Sequence, residues 1–252
     1  MAGYKAFLSD ISKLQSERLF LDPQESHHLC RVLRASKDSV VEVFDGKGTI
    51  YKTKLLEANP RNAELEIIQK KTYALPKREL ILLMSILKPK AMDQILKHAV
   101  EIGIQRIIPV FSEHSAFRLN SEKMEEKLNK WQSILIESCK QSGCPLLPQM
   151  HAIESLEQFF LGYASDWKQN AMGVVASLEG DADLLWDRLE HAYESEKMII
   201  YAVGPEGDFS KTEYEAFKDL GFLSSRLGAH VLRSETAVTY GLSLIDQFLR
   251  TR

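Results

Sequence analysis

The sequence lacks the features of membrane, secreted and disulfide-bonded proteins. It has no run of 18 apolar residues, which excludes a membrane-spanning helix, and its first 15 residues lack an apolar core flanked by cations, so no signal peptide is expected. The three cysteines, Cys30, Cys139 and Cys144, include no Cys-x-x-Cys pair and predict neither a zinc site nor a disulfide framework. These absences predict a cytoplasmic protein without a metal ion and without a membrane partner.

Positive charge is also scarce. The formal net charge is −3, and residues 76–252 carry 20 Lys and Arg against 25 Asp and Glu, whereas residues 1–75 carry 12 against 10. Since nucleic acids attract cationic surfaces, RNA binding by this chain requires a local basic patch. The overall charge argues against a simple nucleic-acid binder.

The glycine fingerprint of dinucleotide-binding proteins is missing as well. The only Gly-x-Gly, Gly46-Lys47-Gly48, lies in a predicted hairpin with no helix after it, which excludes a Rossmann-type methyltransferase or dehydrogenase. A cysteine-nucleophile methyltransferase is disfavoured, because Cys144-Pro145 follows a helix rather than a strand.

The first 74 residues predict a small β-rich domain. Asp22 followed by Pro23 predicts a helix start, since aspartate caps helices and proline suits the first helical position. The helix is expected to run to about residue 35, with an apolar side made of His28, Leu29, Val32 and Leu33. Strands are expected over residues 39–45, 51–56 and 63–69, and short strands with tight turns are typical of a small barrel.

Strands and helices alternate beyond a boundary near Pro76, which predicts an α/β domain with a mostly parallel sheet. Buried strands are expected over residues 80–86, 106–111, 171–177 and 198–203, and helices over residues 91–102, 121–142 and 235–249. Residues 179–196 carry seven acidic residues against one arginine and are interpreted as a solvated helix face.

Two loops of this second half carry the candidate chemistry, because ligands of parallel sheets bind where strands end. The first follows a predicted strand and reads Gly-Pro-Glu-Gly-Asp-Phe-Ser over residues 204–210, and Ser210 with Glu213 has the pattern of a capping box. Gly204 and Gly207 allow a ligand to approach the backbone closely. The alternative is a tight connection that needs its glycines for its own geometry.

The second loop, residues 226–237, reads Arg-Leu-Gly-Ala-His-Val-Leu-Arg-Ser-Glu-Thr-Ala. Gly228 again favours a close approach to the backbone. Arg233 and Glu235 lie at the start of the last predicted helix, with Ser234 as its candidate cap. The pair suits a catalytic role and equally a structural ion pair.

Together the two loops resemble the C-terminal signature of the RsmE family, SPOUT-class methyltransferases that act on N3 of a uridine in small-subunit ribosomal RNA. Weaker matches extend the resemblance in order over most of the chain, among them residues 27–34, 44–48, 88–103 and 130–145. The chain departs from the family at Asp208, where a glycine is frequent, and at Cys144 and His230, where arginine is common.

The resemblance implies a fold, a cofactor and partners. It implies a PUA-like RNA-binding β-barrel domain over residues 1–74 and a SPOUT α/β domain over residues 75–252, with a mostly parallel sheet and a C-terminal trefoil knot. The implied cofactor is S-adenosyl-L-methionine, the implied partner is 16S rRNA or the small ribosomal subunit, and the implied assembly is a homodimer. The residues implied to line the cofactor site are Gly204, Pro205, Glu206, Gly207, Leu227, Gly228, Val231, Leu232 and Ala237.

Methylation of uracil N3 requires either removal of its imide proton or stabilisation of the developing anion. Arg233 is the candidate for anion stabilisation, and Glu235 is expected to orient it; no residue is identified as a general base. His27, Arg31 and Arg34 recur at i, i+4 and i+7, which predicts a basic stripe for RNA phosphates, with a solvated helix face as the alternative.

Two other functions remain open at this point. A ribose 2′-O-methyltransferase of the same class would share the cofactor and differ in the target atom. A non-catalytic RNA-binding or ribosome-assembly module would bind no cofactor.

Overall fold

A computed structural model describes residues 3–115, 121–178, 182–193 and 198–251. The chain divides into two compact units, one formed by residues 1–75 with 135–147 and the other by residues 76–134 with 148–252. None of the helices in these described ranges is both long and apolar enough to cross a membrane.

The first unit contains a six-stranded sheet, which confirms the predicted N-terminal β domain. Its strands are β1 (Tyr4–Phe7), β2 (Leu14–Gln15), β3 (Arg18–Phe20), β4 (Val40–Phe44), β5 (Thr49–Glu57) and β6 (Glu64–Thr72). They pair in the order β1–β4–β5–β6–β3–β2, and all pairs are antiparallel except β1 with β4. Strands β1 to β3 were not predicted, because segments of two to four residues are too short for alternation to mark them.

A short helix follows β3, and its start agrees with the prediction. The Asp22 side chain accepts a hydrogen bond from the Glu25 backbone nitrogen at 2.9 Å, and α1 (Pro23–His27) begins at the proline. The expected continuation to residue 35 is wrong. A π-helical turn (His28–Val32) takes over, and Arg34 has a φ of 57°.

The π-helical turn explains why the apolar face was partly misplaced. Leu29 is fully buried as expected, but Val32 is 58% exposed and Leu33 39% exposed. The bond from the Leu33 nitrogen to the His28 oxygen, at 2.9 Å, spans five residues, and such a turn holds more residues than an α-helical turn. Spacing by three and four residues therefore no longer selects one face.

The second unit contains an eight-stranded sheet in which every pair is parallel. Its strands are β7 (Leu80–Ser85), β8 (Arg106–Phe111), β9 (Gln149–Met150), β10 (Glu154–Ser155), β11 (Ala171–Ala176), β12 (Asp183–Leu184), β13 (Met198–Val203) and β14 (Leu223–Arg226). Its helices are α2 (Pro89–Ile102), α3 (Ser121–Ser142), α4 (Leu156–Gly162), α5 (Leu185–Ala192), α6 (Lys211–Asp219) and α7 (Ser234–Arg250). Helix α3 contributes its last residues to the first unit. The predicted α/β class with a mostly parallel sheet is confirmed.

The strand order determines which loops of the second unit meet. The order is β10–β8–β7–β13–β11–β14–β12, with β9 also pairing with β8. Strands β13, β11 and β14 are consecutive and parallel, so the loops after them leave the same edge of the sheet.

Helix α7 packs closely against β13 at a glycine. The Tyr201 hydroxyl is fully buried and donates a hydrogen bond to the Ala237 carbonyl at 3.0 Å. A Cβ atom at Gly241 would lie 2.2 Å from the Tyr201 oxygen, so only glycine allows this approach. The cap prediction for this helix is wrong: Arg233 takes the N-cap position, and the buried Ser234 is the first helical residue.

The acidic segment agrees with its interpretation as far as it is described. In α5, Leu185 and Leu189 are buried, whereas Asp187 and Glu190 are exposed. Residues 179–181 and 194–196, which the interpretation also covered, lie outside the described residues.

A buried ion pair lies inside the first unit. Glu25 is 8% exposed and Lys140 is 4% exposed, and the Lys140 Nζ lies 2.8 Å from Glu25 Oε1. The other Glu25 oxygen accepts the Phe7 backbone nitrogen at 2.8 Å. Burial alone would lower the pKa of Lys140, but hydrogen bonds to Glu137 and Glu25 outweigh burial and raise it. The charge on Lys140 is therefore compensated.

Candidate functional site

A cavity of about 780 Å³ lies in the second unit where the strands of the parallel sheet end. Its lining residues come from four segments, within residues 88–94, 176–178, 203–208 and 226–237. The last three segments include the loops after β11, β13 and β14, which are neighbours in the sheet. The two loops singled out from the sequence therefore meet at one site.

The first loop turns sharply after β13. The Asp208 nitrogen donates to the Pro205 carbonyl at 3.0 Å, and a Cβ atom at Gly204 would lie 3.1 Å from the Phe209 nitrogen. Asp208 has a φ of 63°, in the left-handed region. Its Oδ1 accepts hydrogen bonds from the Phe209 nitrogen and the Tyr214 hydroxyl, both at 2.8 Å. These bonds explain how aspartate occupies a position that favours glycine.

His114 holds this loop from outside the cavity lining. Its Nδ1 lies 3.0 Å from the Asp208 carbonyl and 3.1 Å from the Gly207 carbonyl. The bond to the Asp208 carbonyl raises the pKa of His114, and the bond to Gly207 and the charges of Glu113 and Glu213 act in the same direction. Sequence reasoning missed His114, because its partners lie 93 and 94 residues away along the chain.

The capping box at the start of α6 is confirmed. The Ser210 Oγ accepts the Glu213 nitrogen at 3.3 Å, and Glu213 Oε2 accepts the Ser210 nitrogen at 2.8 Å. The second oxygen of Glu213 accepts the Glu113 nitrogen at 2.8 Å. The segment after β8 is thus tied both to the loop and to the helix that follows it.

Most residues expected to line a cofactor site do line the cavity. They are Gly204, Pro205, Glu206, Leu227, Gly228, Val231, Leu232 and Ala237. Gly207 does not, and its carbonyl instead faces His114. Val231 is 75% exposed, so a large apolar side chain stands at the open side of the cavity. The role of these lining residues as cofactor contacts stays a prediction.

Arg233 and Glu235 both line the cavity, with Arg233 exposed and Glu235 half-buried. Among the hydrogen bonds and ion pairs of the described residues, none joins these two side chains. The contact through which Glu235 was expected to orient Arg233 is therefore not formed in this conformation. Arg233 is free to reach into the cavity toward a ligand.

Three further cations line the cavity. Lys88 and Lys90 lie at the start of α2, and Arg226 ends β14. The two lysines belong to the segment 88–103 that resembles the family, and the sequence predicts no role for them.

The family model for the RNA methyltransferase domain matches residues 74–246, which include every residue that lines the cavity. The chain belongs to this family. A second model, for the RNA methyltransferase PUA domain, matches residues 21–68 of the methyltransferase.

Named relatives resemble the methyltransferase over nearly its whole length. Proteins called ribosomal RNA small subunit methyltransferase E are similar to it in Aquifex aeolicus, with 29% identity over 91% of this chain and 94% of the relative, and in Buchnera aphidicola, with 28% identity over 90% and 89%. The crystal structure of the enzyme of that name from Neisseria gonorrhoeae, bound to S-adenosyl methionine, has a TM-score of 0.84 and 25% identity, and the match covers 98% of each chain.

The predicted basic stripe of the methyltransferase lies in its first unit. His27, Arg31 and Arg34 are all exposed. They do not share an α-helical face, because the π-helical turn and the left-handed Arg34 interrupt the helix. The structure thus provides three neighbouring exposed basic residues in a different arrangement from the predicted stripe.

Cys144, one of the departures from the family pattern, lies beside a second cysteine. The Cys144 Sγ lies 3.2 Å from the Leu146 carbonyl, and the Cys139 Sγ lies 3.5 Å from the same oxygen. Cys144 therefore contacts the backbone two residues further along the chain.

Proposed function

We propose that this methyltransferase transfers the methyl group of S-adenosyl-L-methionine to N3 of a uridine in 16S rRNA of the small ribosomal subunit. The observation that carries the proposal is the cavity, which gathers the two glycine-containing loops at one edge of the sheet within the family domain. The names of the relatives from Aquifex aeolicus and Buchnera aphidicola support the substrate class. The cofactor in the Neisseria gonorrhoeae structure supports the methyl donor.

The residues of the cavity fit S-adenosyl-L-methionine. A volume of about 780 Å³ lies within the range of small-molecule sites. A Cβ atom at Gly204 would lie 3.1 Å from the Phe209 nitrogen, so this glycine serves the tight turn of its own loop. A Cβ atom at Gly228 would meet no atom within 4 Å, so Gly228 leaves its backbone accessible to a ligand. Gly204, Pro205, Leu227, Gly228 and Leu232 would hold the cofactor, chiefly through backbone groups and apolar contacts. The cofactor supplies an electrophilic methyl group on a sulfonium.

The protein must then align the uracil nitrogen with that methyl group and favour its anion. Arg233 is exposed, lines the cavity and has no acidic partner among the described residues, so its guanidinium is available to the developing negative charge. Glu235, on the first turn of α7, is the other candidate catalytic group and would orient Arg233 once substrate is bound.

Replacing Arg233 tests this assignment. We expect Arg233→Ala to lower kcat about 100-fold or more, the effect of removing a group that stabilises an oxyanion, while the affinity for S-adenosyl-L-methionine stays unchanged. Arg233→Lys, which keeps the charge, should recover part of the loss. Single-turnover methylation and calorimetric titration of the cofactor measure the two quantities. A near-normal rate in Arg233→Ala would refute the role.

The remaining parts of the proposal concern organisation. Residues 1–74 form the PUA-like RNA-binding domain, in which His27, Arg31 and Arg34 contact phosphates. Residues 75–252 form the SPOUT domain, whose C-terminal part carries the trefoil knot. The enzyme acts in the cytoplasm as a homodimer.

The test of the whole proposal is transfer of a tritiated methyl group from S-adenosyl-L-methionine to small ribosomal subunits that lack the modification, followed by nucleoside analysis. Labelled 3-methyluridine is the expected product. Label on a ribose oxygen would show that the enzyme methylates a 2′-hydroxyl instead of uracil N3. No label despite tight cofactor binding would reject small-subunit RNA as the substrate, and no cofactor binding would favour the non-catalytic module.

A further inference from the structure

Four positively charged side chains of the cavity lining form no ion pair with any described residue. Lys88, Lys90, Arg226 and Arg233 all line the cavity, and all four are exposed. Across the described ranges, no carboxylate lies within 4.0 Å of any of them. Residues 76–252 hold 20 basic residues against 25 acidic ones, so these cations stand out against a negative background.

The two lysines do not stabilise the start of helix α2. Lys88 is the N-cap of α2 and makes no side-chain capping bond, Pro89 follows it, and the first turn contains no acidic residue. The N-terminal end of a helix carries partial positive charge, so lysines there raise the local potential instead of offsetting it. Their charges are therefore available to an external anion.

The carboxylates near these cations do not cancel them. Asp93, the first acidic residue of α2, is bound by Lys130 at 2.7 Å. The Asp208 carboxylate accepts hydrogen bonds from Phe209 and Tyr214. Glu206 and Glu235 also line the cavity, but neither pairs with a cation in the described structure.

We propose that Lys88, Lys90 and Arg226 bind the phosphodiester backbone of the RNA on either side of the target nucleotide. This inference rests on the proposed function and names how the substrate strand is held at the cavity. Every nucleotide within a strand has a phosphate on each side, and the three cations come from two different elements, α2 and β14. Arg233 is left for the reacting base.

The cofactor also has an anionic group, its carboxylate, and this group is the other anion that the three cations could bind. The exposure of Lys88, Lys90 and Arg226 favours the RNA, because a macromolecular strand reaches side chains at the open side of a cavity. Phosphate contacts of this kind position a nucleic acid and make its binding dependent on salt.

The experiment compares Lys88→Gln/Lys90→Gln and Arg226→Gln with the wild-type enzyme. Lys97→Gln is the matched control, since Lys97 is an exposed lysine of the same helix outside the cavity lining. Binding of an unmethylated 16S rRNA fragment is measured by fluorescence anisotropy over a range of salt concentrations. Binding of S-adenosyl-L-methionine is measured by calorimetry.

We expect the double variant to bind the RNA about tenfold or more weakly at low salt, with the slope of log K against log salt concentration reduced by about two. Arg226→Gln should reduce that slope by about one. Cofactor affinity should stay unchanged in both, and Lys97→Gln should behave like wild type.

Three outcomes would overturn the inference. Weaker cofactor binding with unchanged RNA binding would assign the cations to the cofactor carboxylate. Unchanged binding of both ligands would show that these cations bind neither. An equal loss of RNA affinity in Lys97→Gln would show that the effect comes from general surface charge. The assay needs no methyl transfer, so wild-type enzyme that binds RNA as expected but makes no 3-methyluridine would reject only the proposed function.

Discussion

At the scale of single residues, Asp208 adopts a backbone conformation that favours glycine, and its side-chain hydrogen bonds stabilise that conformation. Its backbone is left-handed, and its carboxylate bonds the Phe209 nitrogen and the Tyr214 hydroxyl. Asp208→Ala keeps the strain and loses both bonds, so we expect it to lower the free energy of unfolding by about 1–3 kcal/mol.

Asp208→Gly is the matched comparison, because it loses the bonds but relieves the strain. It should lose less stability than Asp208→Ala in urea unfolding. An alanine variant as stable as the glycine variant would show that the left-handed backbone costs nothing at this position.

His114 predicts a dependence of stability on pH. Its pKa is raised by its bonds to the Asp208 and Gly207 carbonyls, so the folded state favours the protonated ring. The stabilisation is full below the unfolded pKa of about 6.5 and is lost as pH rises through the higher folded value. The difference in Tm between wild type and His114→Asn should therefore shrink from pH 6 to pH 8.

Scanning fluorimetry at several pH values measures this difference. His27→Asn serves as the control, since the His27 side chain makes no hydrogen bond to any of the described residues. If the difference in Tm between wild type and His114→Asn stays constant with pH, the contribution of His114 to stability does not depend on its protonation.

The candidate site could be predicted in part at this scale. Glycines beside a strand end mark a place where a backbone can meet a ligand, and Gly204 and Gly228 were found in this way. His114 could not be found, because its partners Gly207 and Asp208 are distant along the chain. Arg226 belongs to the second loop, but its sequence context gives it no role.

At the scale of elements, the contact between α7 and β13 depends on Gly241. A methyl group there would lie 2.2 Å from the Tyr201 hydroxyl, which is held by the Ala237 carbonyl. Gly241→Ala should therefore displace the helix and lower the free energy of unfolding by about 1–3 kcal/mol. Because Ala237 lines the cavity, cofactor affinity should fall as well.

Gly162→Ala is the control for this variant. Gly162 ends α4, and a Cβ there would meet no atom within 4 Å. Alanine should be neutral or stabilising by about 0.5–1 kcal/mol at that helical position. Urea unfolding compares the two variants. Equal losses in the free energy of unfolding would mean that the contact with Tyr201 is not the cause of the effect of Gly241→Ala.

Long elements were predictable from the sequence and short ones were not. Strand β8 and helix α3 occupy the residues expected, because six or more residues show a clear apolar pattern. Strands β9, β10 and β12 have two residues each and no period to read. The π-helical turn was missed since its hydrogen-bond spacing leaves no signature in composition.

At the scale of the whole molecule, Arg31 and Arg34 lie in the first unit, whereas the cavity lies in the second. Arg31→Glu/Arg34→Glu should therefore weaken binding of the 16S rRNA fragment, because both arginines are exposed, while the affinity for S-adenosyl-L-methionine stays unchanged. Filter binding and calorimetry measure the two affinities. Loss of cofactor binding in this variant would mean that the segment supports the fold.

The discontinuous make-up of the first unit bears on how the chain folds during synthesis. N-terminal domains commonly fold first as they leave the ribosome. Here Glu25 pairs with Lys140, and residues 135–147 complete the unit. A nascent chain of 75 residues would have to bury the Glu25 carboxylate unpaired, at a cost of several kcal/mol. The N-terminal segment is therefore expected to remain open to chaperones and proteases until residue 147 has emerged from the exit tunnel.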